Sequence, residues 1–339
     1  MRKNVMITGV EGSLGQELAR VFWDAGYGVV GLDHEECDIT DREAVFRAVQ
    51  KARPSLIINA AAYNAVDKAE DPAEYPRAYA INAEGPKFLA EAARAAGVPF
   101  VHYSTDYVFS GAALEYREDA VPDPVNAYGR TKAAGEKFVK EARGQWYICR
   151  VSKLFGRPGV SKGIKMSFVD LMRKLAAEKP ELRIVDEENG MPTSTRDIAV
   201  STLRLIEEAY PSGIYHLVNS GPCVTWYQFA EELFFLEPTA VPRIPVAAEA
   251  FGPRAAKRPT HVQLVHSVGP ELRPRIDALR AFLARPLISV VIVTFNVRDL
   301  VAENLRKLFA DACPYRFEVI VVDNGSIDGT PAMLRAEFP

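Results

Sequence analysis

Through its first 150 residues the chain alternates short apolar runs with helix-length amphipathic stretches, and that rhythm admits few folds. Val5–Thr8, Val29–Leu32, Leu56–Asn59, Phe100–Tyr103 and Tyr147–Arg150 have the length and composition of strands. Leu14–Ala25, Asp41–Lys51, Tyr75–Ala96 and Ala127–Ala142 lie between them with helical periodicity. Strands separated by helices pair through βαβ crossovers, so the spacing predicts an α/β fold with a doubly wound parallel sheet of Rossmann type. Sheets of this kind bind ligands beyond the carboxyl ends of their strands.

Several chemically suggestive residues fall at those ends. Gly9-Val10-Glu11-Gly12-Ser13-Leu14-Gly15 follows the first strand directly and opens the first helix. Small residues there let the backbone approach a pyrophosphate, and the helix start presents free N–H groups to it. Gly9, Gly12, Ser13, Leu14 and Gly15 are therefore cofactor candidates. Asp33 closes the second strand, where a carboxylate suits adenosine ribose hydroxyls and repels a 2′-phosphate. A turn or cap role fits Asp33 equally well, and both readings stay open. Asp38-Ile39 is placed to meet an adenine ring, and Ala60-Ala61-Ala62 ends the third strand with residues small enough to lie against the cofactor.

Tyr128 and Lys132 stand four residues apart on a predicted helix and so share a face. An ammonium one turn away favours tyrosinate, which is expected to pull the phenol from about 10 toward neutrality. Tyr128 then becomes a proton donor or acceptor for a carbonyl/alcohol pair. Thr105, at the end of the fourth strand, is expected to hydrogen-bond the same substrate oxygen. A tyrosine packed on a lysine stem would explain an isolated pair of this spacing. The ordered set of glycine loop, Asp33 and small-residue strand end favours chemistry instead.

The 339 residues carry a formal net charge of -3, with no basic block to suit nucleic acid or an anionic membrane. Apolar stretches are strand-length, short of a membrane span. Met1-Arg2-Lys3-Asn4 runs straight into the first strand, so a cytoplasmic location without a signal peptide is expected. Cys37, Cys149, Cys223 and Cys313 lack metal-ligand spacing and read as reduced, mostly structural thiols. The expected domains are a cofactor-binding domain over 1–150 and a smaller substrate-binding lobe over 151–283, interleaved with the sheet. In that lobe Ser167–Glu178 and Asp197–Ala209 read as helices, and Arg183–Val185 and Gly213–Val218 as strands. Gly190-Met191-Pro192-Thr193 reads as strand and turn, and Leu236–Pro259 as loop with short strands.

Longer motifs add a resemblance. Ile58-Asn59-Ala60-Ala61-Ala62-Tyr63-Asn64-Ala65-Val66-Asp67-Lys68-Ala69-Glu70, His102-Tyr103-Ser104-Thr105-Asp106-Tyr107-Val108-Phe109 and Asn126-Ala127-Tyr128-Gly129-Arg130-Thr131-Lys132 are similar to signatures of the extended short-chain dehydrogenase/reductases. Within these, the first ~283 residues resemble the dTDP-4-dehydrorhamnose reductase family, with weaker matches at Asn189-Gly190-Met191-Pro192-Thr193, Tyr215-His216-Leu217 and Arg258-Pro259. The resemblance implies reduction of dTDP-4-dehydro-β-L-rhamnose to dTDP-β-L-rhamnose by NADPH or NADH. It implies that Thr105 orients the 4-keto oxygen, Tyr128 protonates it, and Lys132 holds the nicotinamide ribose. Ser104, Asp106, Lys153 and Arg258 are the implied substrate contacts. Lys153 departs from the family, which commonly has tryptophan there; it either meets the nucleotide diphosphate or is a solvated side chain. Tyr63 stands where a histidine is frequent. Some family members bind a divalent ion between subunits, but Glu17 is the sole candidate here and no metal is expected. A homodimer is one protein partnership left open. Two other readings of the same fold are a non-catalytic NADP-binding regulatory subunit like that of methionine adenosyltransferase, and a related nucleotide-sugar epimerase or dehydratase.

Residues 287–339 do not fit that pattern. Leu287–Asn296 reads as a buried strand, Val301–Ala310 as an amphipathic helix, and Glu318–Thr330 as a second strand with an acidic turn. This partial βαβ unit resembles the opening of a family-2, GT-A-fold glycosyltransferase, in which Asp323 and its neighbours match the nucleotide-sugar motif. A generic βαβ unit is the plainer reading. The segment is expected to lack glycosyl transfer by itself, with a junction at Arg285-Pro286 and a fused or partner glycosyltransferase as the implied associate.

Overall fold

The computed structural model describes residues 3–160, 166–284, 288–310 and 317–338. Arg285, Pro286, Leu287 and Cys313 lie outside the described residues. The chain divides into two compact units, Met1–Arg280 and Ala281–Pro339.

The first unit is built on a six-stranded parallel sheet. Its strands are β1 (Asn4–Thr8), β2 (Gly28–Leu32), β3 (Leu56–Asn59), β4 (Phe100–Thr105), β5 (Trp146–Val151) and, from much later in the chain, β9 (Gly213–His216). Their order is β2-β1-β3-β4-β5-β9, with every pair parallel. Successive residues point to opposite faces. Val5, Ile7, Leu56, Ile58, Val101, Tyr103, Tyr147 and Cys149 join one core. Helices α1 (Ser13–Asp24) and α7 (Thr195–Glu207) supply its other half through Leu14, Leu18, Phe22, Ile198 and Leu205. Met6, Ile57, Phe100 and Ile148 face the opposite core, closed by α2 (Arg42–Ala52), α4 (Gly85–Ala96) and α5 (Ala127–Glu141). Both faces are covered by helices, which is why these strands read as continuous apolar runs.

The long helix expected over Tyr75–Ala96 is α3 (Tyr75–Tyr79) running into α4 through one wide π-helical turn at Ala80–Glu84. That turn places Asn82, whose amide accepts from Tyr63 N at 2.9 Å and donates to Thr131 Oγ1 at 3.0 Å. Around the sheet lie β6 (Leu154–Phe155), paired with β8 (Thr193–Ser194), and β7 (Leu182–Val185), paired with β10 (Arg243–Val246). Helices α6 (Phe168–Glu178), α8 (Trp226–Leu236) and α9 (Arg275–Leu283) complete this part. Helix α8 went unread in the sequence although its signal is there: Thr225 and Gln228 form a reciprocal capping box.

The second unit pairs β11 (Ile288–Thr294) in parallel with β12 (Phe317–Asp323), with α10 (Arg298–Ala310) and α11 (Thr330–Glu337). Val301, Ala302, Leu305 and Met333 form its own small core. Asp323 accepts from Thr294 Oγ1 at 3.0 Å and from Ser326 N at 2.9 Å, closing the acidic turn that follows β12.

Candidate functional site

Strand order reverses at β1, with β2 on one side and β3 on the other, so a crevice opens beyond Thr8 and Asn59. The glycine loop fills its floor. Gly9 has φ of +72°, and a Cβ there would lie 2.6 Å from Ala61 N; one on Gly15 would lie 2.1 Å from Gly9 O. These contacts leave room only for hydrogen, so the turn stays thin where helix α1 begins. That cradle, with the uncapped first turn of α1 after Gly12, fits a dinucleotide pyrophosphate.

Other cofactor candidates fare differently. Ala60 N donates to Thr8 O at 2.9 Å and Ala61 N to Asn59 Oδ1 at 3.1 Å, which holds this strand end against Gly9 with Ala62 following. Ser13 Oγ donates to Arg157 O at 2.6 Å and is committed within the protein. Leu14 and Ile39 are buried core side chains. Asp33 Oδ2 accepts from Glu11 N at 2.7 Å, tying β2 to the glycine loop. Burial pushes the Asp33 carboxyl up against that bond, and the neighbouring Glu36 adds to the rise. Asp38 accepts from Thr40 N and Oγ1 at 2.9 and 2.7 Å; burial opposes its ionisation, but these bonds bring it below the usual carboxylate value.

Beyond β4 the structure gathers Ser104, Thr105, Asp106, Tyr128 and Lys132. Asn126 caps α5 by accepting from Gly129 N at 2.7 Å, and its Nδ2 donates to Lys257 O at 2.8 Å. Glu70 accepts from Ala127 N at 2.7 Å. These anchors set the first turn of α5 and hence Tyr128, whose ring meets Tyr107 edge-on with centroids 5.8 Å apart. Tyr128 OH donates to Asn64 Oδ1 over a long 3.4 Å. Thr105 Oγ1 donates to Asp106 Oδ1 at 3.0 Å, and Asp106 Oδ2 accepts from Ser152 Oγ. Asn64, Asn126 and Ser152 were not singled out from the sequence. Asn64 and Asn126 sit inside the quoted motifs, whereas nothing local marks Ser152.

The lowering of Tyr128 expected from Lys132 does not occur. Burial drives the Tyr128 phenol well above its ordinary value; a Thr105 hydrogen bond offsets this in part, and the Asp106 carboxylate reinforces it. Lys132 does not pull it down, because Nζ donates instead to Tyr103 O at 2.6 Å. Burial lowers the Lys132 ammonium to about 8, with Glu136 opposing. Burial thus favours the neutral form of both the phenol and the amine.

Two of the implied substrate contacts are tied to the protein. Arg258 forms a fork on Asp67, Nη1 to Oδ1 at 2.8 Å and Nη2 to Oδ2 at 2.6 Å, which holds the Asp67 carboxyl down at about 2. Lys153 is half-buried. Its Nζ donates to Glu188 O and to Val224 O and lies 4.2 Å from the Trp226 ring centroid. Burial lowers it to about 8, with Asp106 and Glu188 opposing. Among the described residues, no group of three or more His, Cys, Asp or Glu could hold a metal ion, and no helix is long and apolar enough to cross a membrane.

Comparison with known proteins agrees with this geometry. Residues 2–273 match the model of the RmlD substrate binding domain, and residues 289–338 match glycosyl transferase family 2. The spore coat polysaccharide biosynthesis protein SpsK of Bacillus subtilis is 36% identical over 284 residues, covering 82% of this chain and 96% of its own. The dTDP-4-dehydrorhamnose reductase of Aggregatibacter actinomycetemcomitans is 38% identical over 270 residues, covering 76% and 88%. The crystal structure of Bacillus anthracis dTDP-4-dehydrorhamnose reductase in complex with NADP superposes with a TM-score of 0.77 at 36% identity, covering 84% of this chain and 99% of that one. By its sheet, its glycine cradle and its matched residues, the chain belongs to the RmlD substrate binding domain family, and a segment similar to glycosyl transferase family 2 follows.

Proposed function

We propose that the first unit reduces dTDP-4-dehydro-β-L-rhamnose to dTDP-β-L-rhamnose, using NADPH or NADH. The observation carrying this reading is the meeting of the Tyr128 phenol and the Thr105 hydroxyl beside Asp106, beyond β4 and on the same side of the sheet as the Gly9–Ala61 cradle. Bound in that cradle, the nicotinamide cofactor supplies the hydride. Thr105 orients the keto oxygen, its own hydroxyl aimed by Asp106. Tyr128, kept protonated by its burial, donates its proton to that oxygen. Lys132, on the same helical face as Tyr128, holds the nicotinamide ribose and supports the phenol. Ser104 and Asp106 line the sugar end. Lys153 and Arg258 act there by holding the surrounding loops through Glu188, Val224 and Asp67. Mixing the purified chain with the keto-sugar and each reduced cofactor, and following the nicotinamide absorbance, tests the reaction directly. No absorbance change with either cofactor would end this reading.

The same reading assigns Asp33 to the adenosine ribose. Asp33→Ala should shrink any preference for NADH over NADPH, by roughly tenfold in the ratio of kcat/KM values if a charged hydrogen bond is lost. An unchanged ratio would remove Asp33 from that contact. The reading also divides the chain into a cofactor-binding part over 1–150, a substrate lobe drawn from 151–283 and the transferase-like segment. A chain shortened to end at residue 284, just past α9, should stay soluble and keep its turnover. Loss of soluble protein would show that the transferase-like segment is needed for folding. A cytosolic homodimer, beside or fused to a glycosyltransferase that uses the activated sugar, completes the proposal.

A further inference from the structure

Lys153 lies just past the end of β5, and its backbone has φ of +43°. A side chain keeps to that left-handed region only where its surroundings hold it there. Its stem crosses Gly190, where an added Cβ would lie 2.7 Å from Lys153 Cε and 3.0 Å from Cδ. Its Nζ donates to Glu188 O and, at 3.3 Å, to Val224 O, and stands 4.2 Å from the ring centroid of Trp226, the first residue of α8. An ammonium has three donors, and two carbonyls with the face of an indole are three partners. Lys153 is also where this chain departs from the family's usual tryptophan. An indole carries one N–H and no charge, so it could not serve both carbonyls.

The bonds converge on segments that meet the reacting end of β4. Gly190 N donates to Val224 O at 3.0 Å, and Val224 N donates back to Gly190 O at 2.8 Å. Asn189 N reaches Thr260 O at 2.9 Å. Ser152, the neighbour of Lys153, donates to Asp106 Oδ2 and accepts from Met191 N at 3.0 Å. Ser152 and Lys153 together thus tie the Thr105–Asp106 strand end to the turn at 188–191 and the loop at 223–226.

We propose that the Lys153 ammonium is a staple that holds the 188–191 turn and the 223–226 loop against Asp106, and so sets the affinity for the keto-sugar without entering the chemistry. Lys153 is a positioning residue, acting through Glu188, Gly190 and Val224. The inference rests on the reductase reading above and adds that sugar binding, not proton delivery, depends on this charge.

The titratable and charged groups facing Lys153 are Asp106 beyond β4, Glu188 after β7, Cys223 before α8 and Arg275 of α9. Glu188 is shared with Arg254, Cys223 lies against the His261 ring, and Arg275 is forked on Glu232. Burial lowers the Lys153 ammonium to about 8; Asp106, Glu188 and Cys223 oppose the fall and Arg275 adds to it. The staple is therefore charged and closed below that value and lets go as pH rises through it.

KM for the keto-sugar should climb as pH passes about 8, while KM for the cofactor stays flat. Lys132 titrates over the same range, so variants make the assignment. At about pH 7, Lys153→Met should raise the keto-sugar KM about tenfold or more, as expected when hydrogen bonds from a charged donor are lost, with kcat within about threefold. Lys153→Arg stays charged at every pH used and should abolish the rise near pH 8. A purely structural role would lower the amount of active enzyme without moving KM. An unchanged KM in Lys153→Met, or a rise that survives in Lys153→Arg, overturns the proposal.

Spectra of the ligand-free chain with ¹³Cε-labelled lysine give a readout independent of turnover. The signal lost in Lys153→Arg should lie upfield, shielded by the Trp226 ring, and should titrate near about 8. A signal at the ordinary lysine position, titrating near about 10.4, overturns the proposal even in an active enzyme. Should the wild type reduce no keto-sugar, the reductase reading has failed and this signal alone decides the staple.

Discussion

Tyr128→Phe is expected to lower turnover about 100-fold or more while cofactor affinity changes little. The variant keeps the ring that packs edge-on against Tyr107 and removes only the oxygen that meets Thr105 and Asn64. A fall in kcat with intact binding marks an interaction made during proton transfer. Steady-state turnover beside calorimetric titration of the cofactor separates the two effects. Near-normal turnover would strip the phenol of its role. Thr105→Val offers a useful contrast, since it leaves the phenol and removes the hydroxyl proposed to aim the substrate oxygen; a rise in KM should then accompany the loss in kcat.

The largest effect on stability is expected at Glu136→Gln. Arg150 and Glu136 are 0% and 1% exposed, and their fork is bidentate, Nε to Oε1 at 2.9 Å and Nη2 to Oε2 at 2.8 Å. The guanidinium also donates to Glu118 O at 3.2 Å and lies 4.9 Å from the Phe109 ring centroid. Removing one charge strands the other in the core, at a cost of about 3–5 kcal/mol. The denaturant midpoint measures it. The double replacement Glu136→Leu with Arg150→Met should be less destabilised than the single change, because no buried charge is left alone. A single variant as stable as the wild type would show that water reaches Arg150. Because the pair joins α5 to β5, its loss should also loosen the helix that carries Tyr128 and Lys132.

Much of this molecule is legible from one dimension. All six central strands, Gly213–His216 included, and the helices between the first five follow from local periodicity, since each buries a face whose repeat is written in consecutive residues. Gly9 and Gly15 announce a turn that no side chain could enter, and Tyr128 and Lys132 share a helical face by spacing alone. What failed was electrostatic. Spacing suggested an ammonium lowering a phenol, but burial dominates both groups and Lys132 is drawn to a carbonyl freed where β3 ends.

Long-range partners were equally invisible in the sequence. Ser152 reaching Asp106, Asp67 gripping Arg258 across 191 positions, and Lys153 set over the Trp226 ring depend on loops that meet only after folding. The local pattern of apolar and small residues by itself determined the parallel sheet and the crevice at its strand ends. Tertiary packing alone decided the protonation and partners of the side chains gathered there, because desolvation and cross-strand contact are set by what surrounds a group in space and not by its neighbours along the chain.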